Sequence, residues 1–272
     1  MMCSYLVVCG DKMLVIFATA AAAASTNSRI LLVRHGETNF NAAGRLQGRL
    51  ESELTDKGHA QAKKLGAWMA EHISIDRTYV SPRKRTRQTL GNVNVAFHAK
   101  SSEVLPVAEV RAGLREIELT VWEGQLKEDL KNRDDVERWA QWKATPSAFI
   151  FEEDGHAPLM DLFRRASEEW TFLRESTPPG STSLVVAHGA FNRAFMLAAL
   201  GLPLDDHGFQ DDRFSFENCA LVELQWPPGA SHATAWRKRY PAQSEWITRE
   251  QELERRAASS NAAMNRESKL EL

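Results

Sequence analysis

The chain has 272 residues, and its 34 basic side chains nearly balance its 36 acidic ones, which gives a net charge of −2 at pH 7. Hydrophobic residues make up 43% of the chain and charged residues 26%, as in a globular protein whose core needs no disulfide or metal staple. The near-neutral balance excludes a nucleic-acid binder that depends on bulk positive charge, but it is compatible with a small local anion site. The three cysteines form neither a disulfide framework nor a CxxC motif.

The first 27 residues differ in composition from the rest, and we interpret them as a leader outside the folded domain. Their apolar run of 12 residues, 13–24, is too short to span a bilayer as a helix, which takes about 20 residues. The length of the run and its alanine-rich end are typical of the apolar core of a signal peptide. A targeting segment and an unstructured start are the two alternatives for this stretch.

Strands alternate with helices along residues 28–248, the range that we assign to one domain. Short continuous apolar runs predict buried parallel strands, and apolar side chains three and four positions apart predict amphipathic helices. The alternation predicts an α/β fold, a three-layer α/β/α sandwich around a mostly parallel central sheet. The predicted strands are 29–33, 76–80, 184–187 and 220–224, and the predicted helices begin near Thr55, at Ser81 and at Phe191.

Two further segments do not follow this alternation. Residues 129–170 are irregular and rich in large aromatic side chains, and we predict a helical excursion that forms a lid or substrate wall over one end of the sheet. The alternative is that these aromatic side chains only fill the core, which is their commoner use. Residues 249–272 are charged or small, and we interpret them as a charged C-terminal tail, either a frayed helix or disordered chain.

Two of the predicted strands end in the same way. The first is followed by Arg34, His35 and Gly36, and the second by His188 and Gly189. Because ligands bind at the carboxyl ends of the strands in open α/β sheets, neighbouring strands would direct both imidazoles into one crevice. A lone histidine after a strand is usually structural, but a matched pair favours a functional site.

Arginines near these strand ends favour an anion as the ligand. Arg34 precedes the first histidine, and Arg85 lies at a predicted helix start, where unpaired N–H groups attract anions. A guanidinium also offers a planar fork of donors that matches phosphate oxygens. For Arg83 and Arg87, a solvated basic helix face is the simpler interpretation. A metal site is the competing hypothesis, but no HxH or HxxxH pair lies near either strand end.

Four motifs follow one another along the chain: 33–48 (VRHGETNFNAAGRLQG), 81–89 (SPRKRTRQT), 114–124 (LREIELTVWEG) and 185–189 (VVAHG). In this order they resemble the signatures of the histidine phosphatase (phosphoglycerate mutase-like) superfamily, over about residues 29–225. The resemblance implies a phosphoglycerate mutase-like fold and a phosphohistidine intermediate. The middle of the chain resembles, more loosely, the 2-carboxy-D-arabinitol-1-phosphatase-like branch of plants, algae and cyanobacteria.

The resemblance implies a role for each matched residue. His35 would be the nucleophile, and Glu116 would protonate the leaving alcohol and then activate water. Glu123 is a rival for Glu116, whereas Arg115 and Glu37 are expected to be structural or orienting. Phosphate would be held by Arg34, Arg85, His188 and Asn41, and substrate would be bound by Gln47 and Gly48.

The third motif also bears on the choice between hydrolysis and transfer. Mutases of the superfamily usually carry a Tyr-Gly pair after its acidic residue, and here residues 117–122 (IELTVW) occupy that stretch. We therefore predict a phosphomonoester hydrolase that acts on a small phosphorylated sugar or sugar acid. The alternatives are phosphoglycerate mutase-type phosphoryl transfer and a non-catalytic binding module on the same fold.

The resemblance implies a reaction without metal, nucleotide or other cofactor. The expected partner is a small phosphorylated metabolite rather than nucleic acid or a membrane, and the expected state is a monomer or a homodimer. The arabinitol-phosphatase resemblance points to the chloroplast, while the apolar leader fits secretion equally well and a cytoplasmic location is the third alternative.

Overall fold

The computed structural model describes residues 26–205 and 209–258, together with the backbone of two short strands, β1 (Tyr5–Cys9) and β2 (Lys12–Ile16). These two strands pair with each other in an antiparallel ladder. Of the rest of the predicted leader, only residues 26 and 27 are described, so its role in targeting stays a prediction.

Seven strands of the described chain form one sheet: β3 (Ser28–Arg34), β4 (Arg77–Val80), β5 (Ala108–Val110), β6 (Thr182–Ala187), β7 (Leu221–Trp226), β8 (Ala235–Tyr240) and β9 (Ile247–Thr248). Their order across the sheet is β5-β4-β6-β3-β7-β8-β9. The first four strands in this order pair in parallel, and the last three join by antiparallel pairs. Strand β7 runs opposite to β3, β8 runs opposite to β7, and β9 runs opposite to β8. Strand β8 therefore has the direction of the four parallel strands, and most strands of this mixed sheet run the same way.

Helices cover both faces of this sheet. The longer ones are α2 (Asp56–His72), α3 (Lys84–Ser101), α6 (Pro158–Ser176) and α7 (Gly189–Leu200), and the shorter ones are α1 (Asn39–Ala42), α4 (Lys127–Asp129), α5 (Val136–Ala144) and α8 (249–258). A π-helical turn, Leu130–Asp134, joins α4 to α5. None of the helices in the described ranges is long and apolar enough to cross a membrane.

The alternation of side chains along β3 assigns each helix pair to one face of the sheet, since successive residues of a strand point to opposite sides. Leu31 and Val33 pack with the buried side chains of α2 and α3, whereas Ile30 and Leu32 pack with those of α6 and α7. Strand β6 is buried along its whole length, as expected for a central strand with helices on both faces. The predicted three-layer α/β/α sandwich is therefore confirmed.

One helix starts later than its sequence signal indicates. The pattern Ser81-Pro82 predicts a cap followed by the first helical residue, but α3 begins at Lys84. Ser81 instead continues β4, because its backbone N–H donates to a carbonyl of β6 (3.1 Å), and its buried hydroxyl bonds the ring of His188 (2.8 Å). The N-cap residue of α3 is Arg83, and its side chain makes no hydrogen bond to the backbone of the helix.

The predicted excursion between β5 and β6 is helical, and its aromatic side chains fill a core of their own. Trp122 lies at the centre of this core and is fully buried, and its indole N–H donates to Asp135 just before α5 (2.6 Å). Four rings surround it at centroid distances from 4.9 to 6.4 Å: Trp139, Trp142, Phe149 and Phe151. The aromatics thus fix the position of α5 relative to the sheet.

The C-terminal charged segment includes a helix that is attached to the domain by polar contacts. Glu252 of α8 is fully buried and pairs with Arg213 (3.1 Å). Arg249 donates through Nε to the carbonyl of Leu200 at the end of α7 (2.6 Å). Residues beyond 258 lie outside the described part of the chain, and the predicted domain boundary at residue 248 stays a prediction.

Glycine at position 58 is required by the close approach of α2 to the loop after β3. A Cβ built at Gly58 would lie 2.1 Å from the carbonyl oxygen of Glu37. We expect Gly58→Ala to lower the free energy of unfolding by about 1–3 kcal/mol, the usual cost of overpacking. Urea unfolding curves measure this change.

Gly91 in the middle of α3 provides the matched control, since no described atom lies within 4 Å of a Cβ built there. Gly91→Ala should raise the free energy of unfolding by about 0.5–1 kcal/mol, because alanine is the better helix former. A Gly58→Ala protein as stable as Gly91→Ala would contradict this packing.

Candidate active site

The two histidines that follow the parallel strands meet at the carboxyl edge of the sheet. Strands β3 and β6 are neighbours in a register that places Arg34 opposite Ala187. His35 and His188 therefore leave the sheet side by side, with ring centroids 5.4 Å apart. The ladder continues past β3, because the backbone N–H of His35 donates to the carbonyl of Ala187 (3.1 Å).

His35 is buried, and one of its ring nitrogens has a fixed local partner. Its Nδ1 lies 2.8 Å from the carbonyl oxygen of Gly36, and since a carbonyl only accepts, Nδ1 carries the proton and Nε2 the lone pair. Burial lowers the pKa of His35 well below its ordinary value, and the charges of Arg34 and Arg85 lower it further. The ring is therefore neutral near pH 7, the form in which an imidazole nitrogen is nucleophilic.

Three backbone contacts hold the loop that carries His35. The N–H of Gly36 donates to the hydroxyl of Thr89 on α3 (3.0 Å). The side-chain amide of Asn218 donates to the carbonyl of His35 (3.0 Å), and the N–H of Cys219 donates to that of Arg34 (3.0 Å). The loop is thus tied to both neighbouring elements, α3 and the turn before β7.

His188 is fully buried with both ring nitrogens engaged. Arg85 donates through Nε to its Nδ1 (3.2 Å), and because Nδ1 accepts, the proton lies on Nε2, which donates to Ser81 Oγ (2.8 Å). Burial lowers the pKa of His188 well below its ordinary value, with the Arg85 charge as the next cause. In this geometry His188 is a neutral ring that orients Arg85, and its predicted contact with phosphate stays a prediction.

Arg85 connects α3 to the loop of residues 46–50. It is fully buried and donates to the carbonyls of Leu50 (2.9 Å) and Gly48 (3.0 Å). Burial lowers its pKa to about 10, against an opposing effect of Glu116. Gly48 has a φ of +49°, and a Cβ on it would lie 2.1 Å from a carboxylate oxygen of Glu123, so the turn requires glycine.

Arg34 and Asn41 present donors beside His35. Arg34 donates through Nη1 to the carbonyl of Phe216 (2.6 Å), while its buried Nε has no hydrogen-bond partner among the described residues. The side-chain oxygen of Asn41 accepts from the N–H of Thr38 (3.3 Å) and from Asn218 (3.3 Å). The amide nitrogen of Asn41 is the part of this side chain that can donate to a ligand.

The carboxylate of Glu116 lies at the N-terminus of α7 and lines the pocket. It accepts from the backbone N–H groups of Ile117 (2.9 Å), Ala190 (3.3 Å) and Phe191 (3.0 Å). Unpaired N–H groups in the first turn of a helix favour a negative charge at this place. Arg165 of α6 steadies the turn, because it donates to the carbonyl of Glu116 (3.2 Å).

One pocket of about 470 Å³ unites most of the predicted site. The predicted residues that line it are His35, Arg34, Arg85, Glu116, Asn41, Gln47 and Gly48. Gln47 is buried, and its side-chain oxygen has no hydrogen-bond partner among the described residues. No group of three or more His, Cys, Asp or Glu side chains that could hold a metal ion occurs in residues 26–205 and 209–258.

The rival acidic residues are engaged elsewhere. Glu123 accepts from the backbone of Arg49 (3.0 Å) and Leu119 (3.1 Å), so it fastens the loop of residues 46–50 to the third motif. Glu37 bonds Lys57 (2.6 Å) outside the pocket. Arg115 is exposed and is not part of the pocket lining.

The sequence analysis did not assign a role to several residues that line the pocket. Helix α5, in the predicted lid, contributes Trp139, Trp142 and Lys143. Lys127, Arg193, Phe209 and Phe216 are their neighbours outside the motifs, and Arg45, a residue of the first motif without a predicted role, lines the same wall. The aromatic enrichment of residues 129–170 signalled a wall, but no spacing in the sequence indicated that these cations would face the same pocket.

Several known proteins are similar to this chain in sequence and in fold. The family model described as the histidine phosphatase superfamily (branch 1) matches residues 30–239. A probable phosphoglycerate mutase GpmB from Serratia proteamaculans is 30% identical over 76% of this chain and 89% of its own length. Among solved structures, Bacillus stearothermophilus YhfR is 26% identical with a TM-score of 0.62, over 76% of this chain and 95% of that one.

Two plant proteins are also similar. A probable 2-carboxy-D-arabinitol-1-phosphatase from Arabidopsis thaliana is 35% identical over 75% of this chain and 39% of its own length. A 2-carboxy-D-arabinitol-1-phosphatase from Triticum aestivum is 36% identical over 64% of this chain and 33% of its own length. The chain therefore spans only a third to two fifths of the length of these plant relatives.

The lowered pKa values of His35 and His188 make stability depend on pH. Below the ordinary histidine pKa of 6.5, the unfolded chain binds protons that the folded chain excludes, so the free energy of unfolding falls as the pH falls. Each histidine contributes up to about 1.4 kcal/mol per pH unit, until the pH reaches its folded-state pKa. Urea unfolding between about pH 5 and pH 8 measures the slope.

Replacing one of these histidines isolates its share of the slope. Below about pH 6.5, His35→Asn should reduce the slope of the free energy of unfolding against pH by up to about 1.4 kcal/mol per pH unit. This is the contribution of one proton, which asparagine cannot bind. Equal slopes for the wild type and His35→Asn would show that His35 takes up its proton as readily in the folded protein as in the unfolded chain, against the lowered pKa.

Proposed function

Because the chain belongs to the histidine phosphatase superfamily (branch 1), we propose that it is a phosphomonoester hydrolase that acts through a phosphohistidine on His35. Its substrate is a small phosphorylated sugar or sugar acid. The observation that carries the proposal is the state of His35: the ring is buried and neutral, and the Gly36 carbonyl holds its Nδ1 proton. The lone pair of Nε2 is thereby available for attack, beside the guanidinium groups of Arg34 and Arg85.

In the first step, Nε2 of His35 attacks phosphorus in line with the ester oxygen, forms the P–N bond and breaks the P–O bond. Arg34 and Arg85 balance the negative charge on the equatorial oxygens, and their fixed positions mean that little reorganisation is needed. Asn41 adds one amide donor. Glu116 acts as the general acid and transfers a proton to the leaving oxygen, so that a neutral alcohol departs.

In the second step, Glu116 accepts a proton from water while the water oxygen attacks the phosphohistidine. The P–N bond breaks, inorganic phosphate forms and His35 returns to its neutral state. Glu116 suits both steps, because three backbone N–H groups and the turn held by Arg165 fix its carboxyl group at the pocket. His188 acts through Arg85, since both of its nitrogens already have partners.

Substitutions of the two catalytic residues should stop the reaction at different steps. His35→Ala should abolish both turnover and acid-labile phosphate labelling, because no nucleophile remains. Glu116→Gln should lower kcat by about 10²–10⁴-fold with p-nitrophenyl phosphate but keep the labelling, since this leaving group needs no proton and only water activation is lost. Quenched-flow labelling with ³²P, combined with steady-state phosphate release, measures both quantities.

Glu118→Gln is the matched control for the carboxylate, because Glu118 lies two residues away and pairs with Arg49 (2.6 Å) outside the pocket lining. Its turnover should stay within about twofold of the wild type, as expected for a half-exposed ion pair. Labelling that survives in His35→Ala, with circular dichroism showing a folded protein, would overturn the phosphohistidine assignment.

Phosphoglycerate mutase activity is the second candidate, and the similarity to the probable phosphoglycerate mutase GpmB supports it. The similarity to the phosphatases of plants and the sequence of residues 117–122 support hydrolysis. We expect 3-phosphoglycerate to lose inorganic phosphate faster than it yields 2-phosphoglycerate, because water rather than the bound alcohol receives the phosphoryl group. Coupled assays of both products decide, and faster isomerisation would favour the mutase.

A non-catalytic binding module is the weakest alternative, because a nucleophile, two arginines and a carboxyl group line one pocket. The chloroplast location and the monomeric or homodimeric state stay predictions. A small phosphorylated metabolite is the partner that suits the size of this pocket.

A further inference from the structure

The pocket contains more positive charge than one phosphoryl group requires. Arg34 and Arg85 lie beside the nucleophile, and Glu116 is the one acidic residue of the lining within the described chain. Four further cationic side chains complete the wall: Arg45, Lys127, Lys143 and Arg193. A single phosphate dianion therefore leaves much of this charge without a counterion.

Lys127 and Lys143 form no ion pair within the described residues, and the same holds for Arg45 and Arg193 in this part of the wall. Two carboxylates near the lid have arginine partners outside the pocket: Glu118 pairs with Arg49 (2.6 Å), and Asp135 pairs with Arg138 (2.6 Å). The two lysines are available for a negatively charged ligand.

Lys127 also lies close enough to Arg34 and Lys143 for their charges to affect it. Partial burial lowers the pKa of Lys127, and the charges of Arg34 and Lys143 lower it further, against an opposing effect of Glu116. Burial likewise lowers the pKa of Arg193, which donates to the carbonyl of Phe209 (2.5 Å). Like charges that are held together cost free energy, and a bound anion removes that cost.

Gln47 supplies a neutral contact in the same pocket. Its buried side-chain oxygen has no partner among the described residues, and an unpaired buried acceptor costs about 1–3 kcal/mol. A hydroxyl group of a ligand would satisfy this acceptor. The indole rings of Trp139 and Trp142 contribute apolar surface for the carbon skeleton of such a ligand.

We propose that Lys127 and Lys143, assisted by Arg193, form a second anion subsite in this pocket. The substrate is accordingly a hydroxylated phosphomonoester with a second acidic group, either a carboxylate or another phosphate. The phosphoryl group that is transferred lies at Arg34 and Arg85, and the second acid lies under the lid. This inference rests on the proposed function and narrows its substrate class.

Two substrate pairs test the proposal and separate the two kinds of acid. 3-Phosphoglycerate and glycerol 3-phosphate differ only in a carboxylate that replaces a hydroxymethyl group. Fructose 1,6-bisphosphate and fructose 6-phosphate differ by a second phosphate. We expect kcat/KM to be at least about tenfold higher for the acidic member of at least one pair, the factor that one additional charged contact supplies.

The double variant Lys127→Gln/Lys143→Gln should remove most of this preference. The loss should occur chiefly in KM, because the contact is made equally in the bound substrate and in the transition state. Lys131→Gln is the matched control, since Lys131 lies one turn after Lys127 on the same segment but does not line the pocket. The control should keep the preference within about twofold, and hydrolysis of p-nitrophenyl phosphate should change little in either protein.

Binding measured without turnover gives an independent result. In a His35→Ala background, isothermal titration should show 3-phosphoglycerate or fructose 1,6-bisphosphate binding at least about tenfold more weakly after the two lysines are replaced. Equal preference and equal affinity with and without the lysines would overturn the subsite, even if p-nitrophenyl phosphate is still hydrolysed. A wild type that hydrolyses no phosphomonoester, yet binds the acids through the lysines, would overturn the proposed function and retain the subsite.

Discussion

The parallel pairing of β3 with β6 is the constraint on which the site depends. Its register runs from Arg29 opposite Thr182 to Arg34 opposite Ala187, and the N–H of His35 extends it by one further bond. A slip of one residue would turn the buried side chains to the opposite face and separate the two histidines, so the core on both faces fixes the register. The position of His35, the proposed nucleophile, is therefore a consequence of how the core packs.

The buried charge of Arg85 explains how a chain with a net charge of −2 can hold an anion. Its partners are two carbonyl groups and the Nδ1 of His188, none of which is a carboxylate. A desolvated cation without a counter-charge is costly to bury, and here burial lowers its pKa to about 10. Under the proposed function, this local positive charge attracts the phosphoryl group, while the surface outside carries the balancing acidic residues.

The excursion between β5 and β6 completes the wall of the pocket. Trp122 and the rings around it fix α5 beside the pocket, so that Lys143 and two indoles line the same space as Arg34 and Arg85. Under the proposed function, the sheet edge supplies the groups for phosphoryl transfer, and the excursion supplies contacts to the rest of the substrate. Asp135 connects Trp122 to the first turn of α5, because its carboxylate accepts hydrogen bonds from Trp122 (2.6 Å) and from Arg138 (2.6 Å).

Local signals in the sequence were sufficient for strands β3, β4, β6 and β7, for helices α2 and α7 and for the histidine and arginine motifs, because hydrophobic periodicity and caps involve residues close together in the chain. They did not reveal strands β5, β8 and β9 or the bounds of α6. They failed where a side chain bonds a distant partner: Ser81 reads as a helix cap but bonds His188. Only the tertiary structure placed Glu116, and not Glu123, in the lining of the pocket that contains His35, and brought Lys127 and Lys143 to the same pocket. The physical reason is that the partner of a polar side chain depends on which distant segments the core brings together, which no local pattern records.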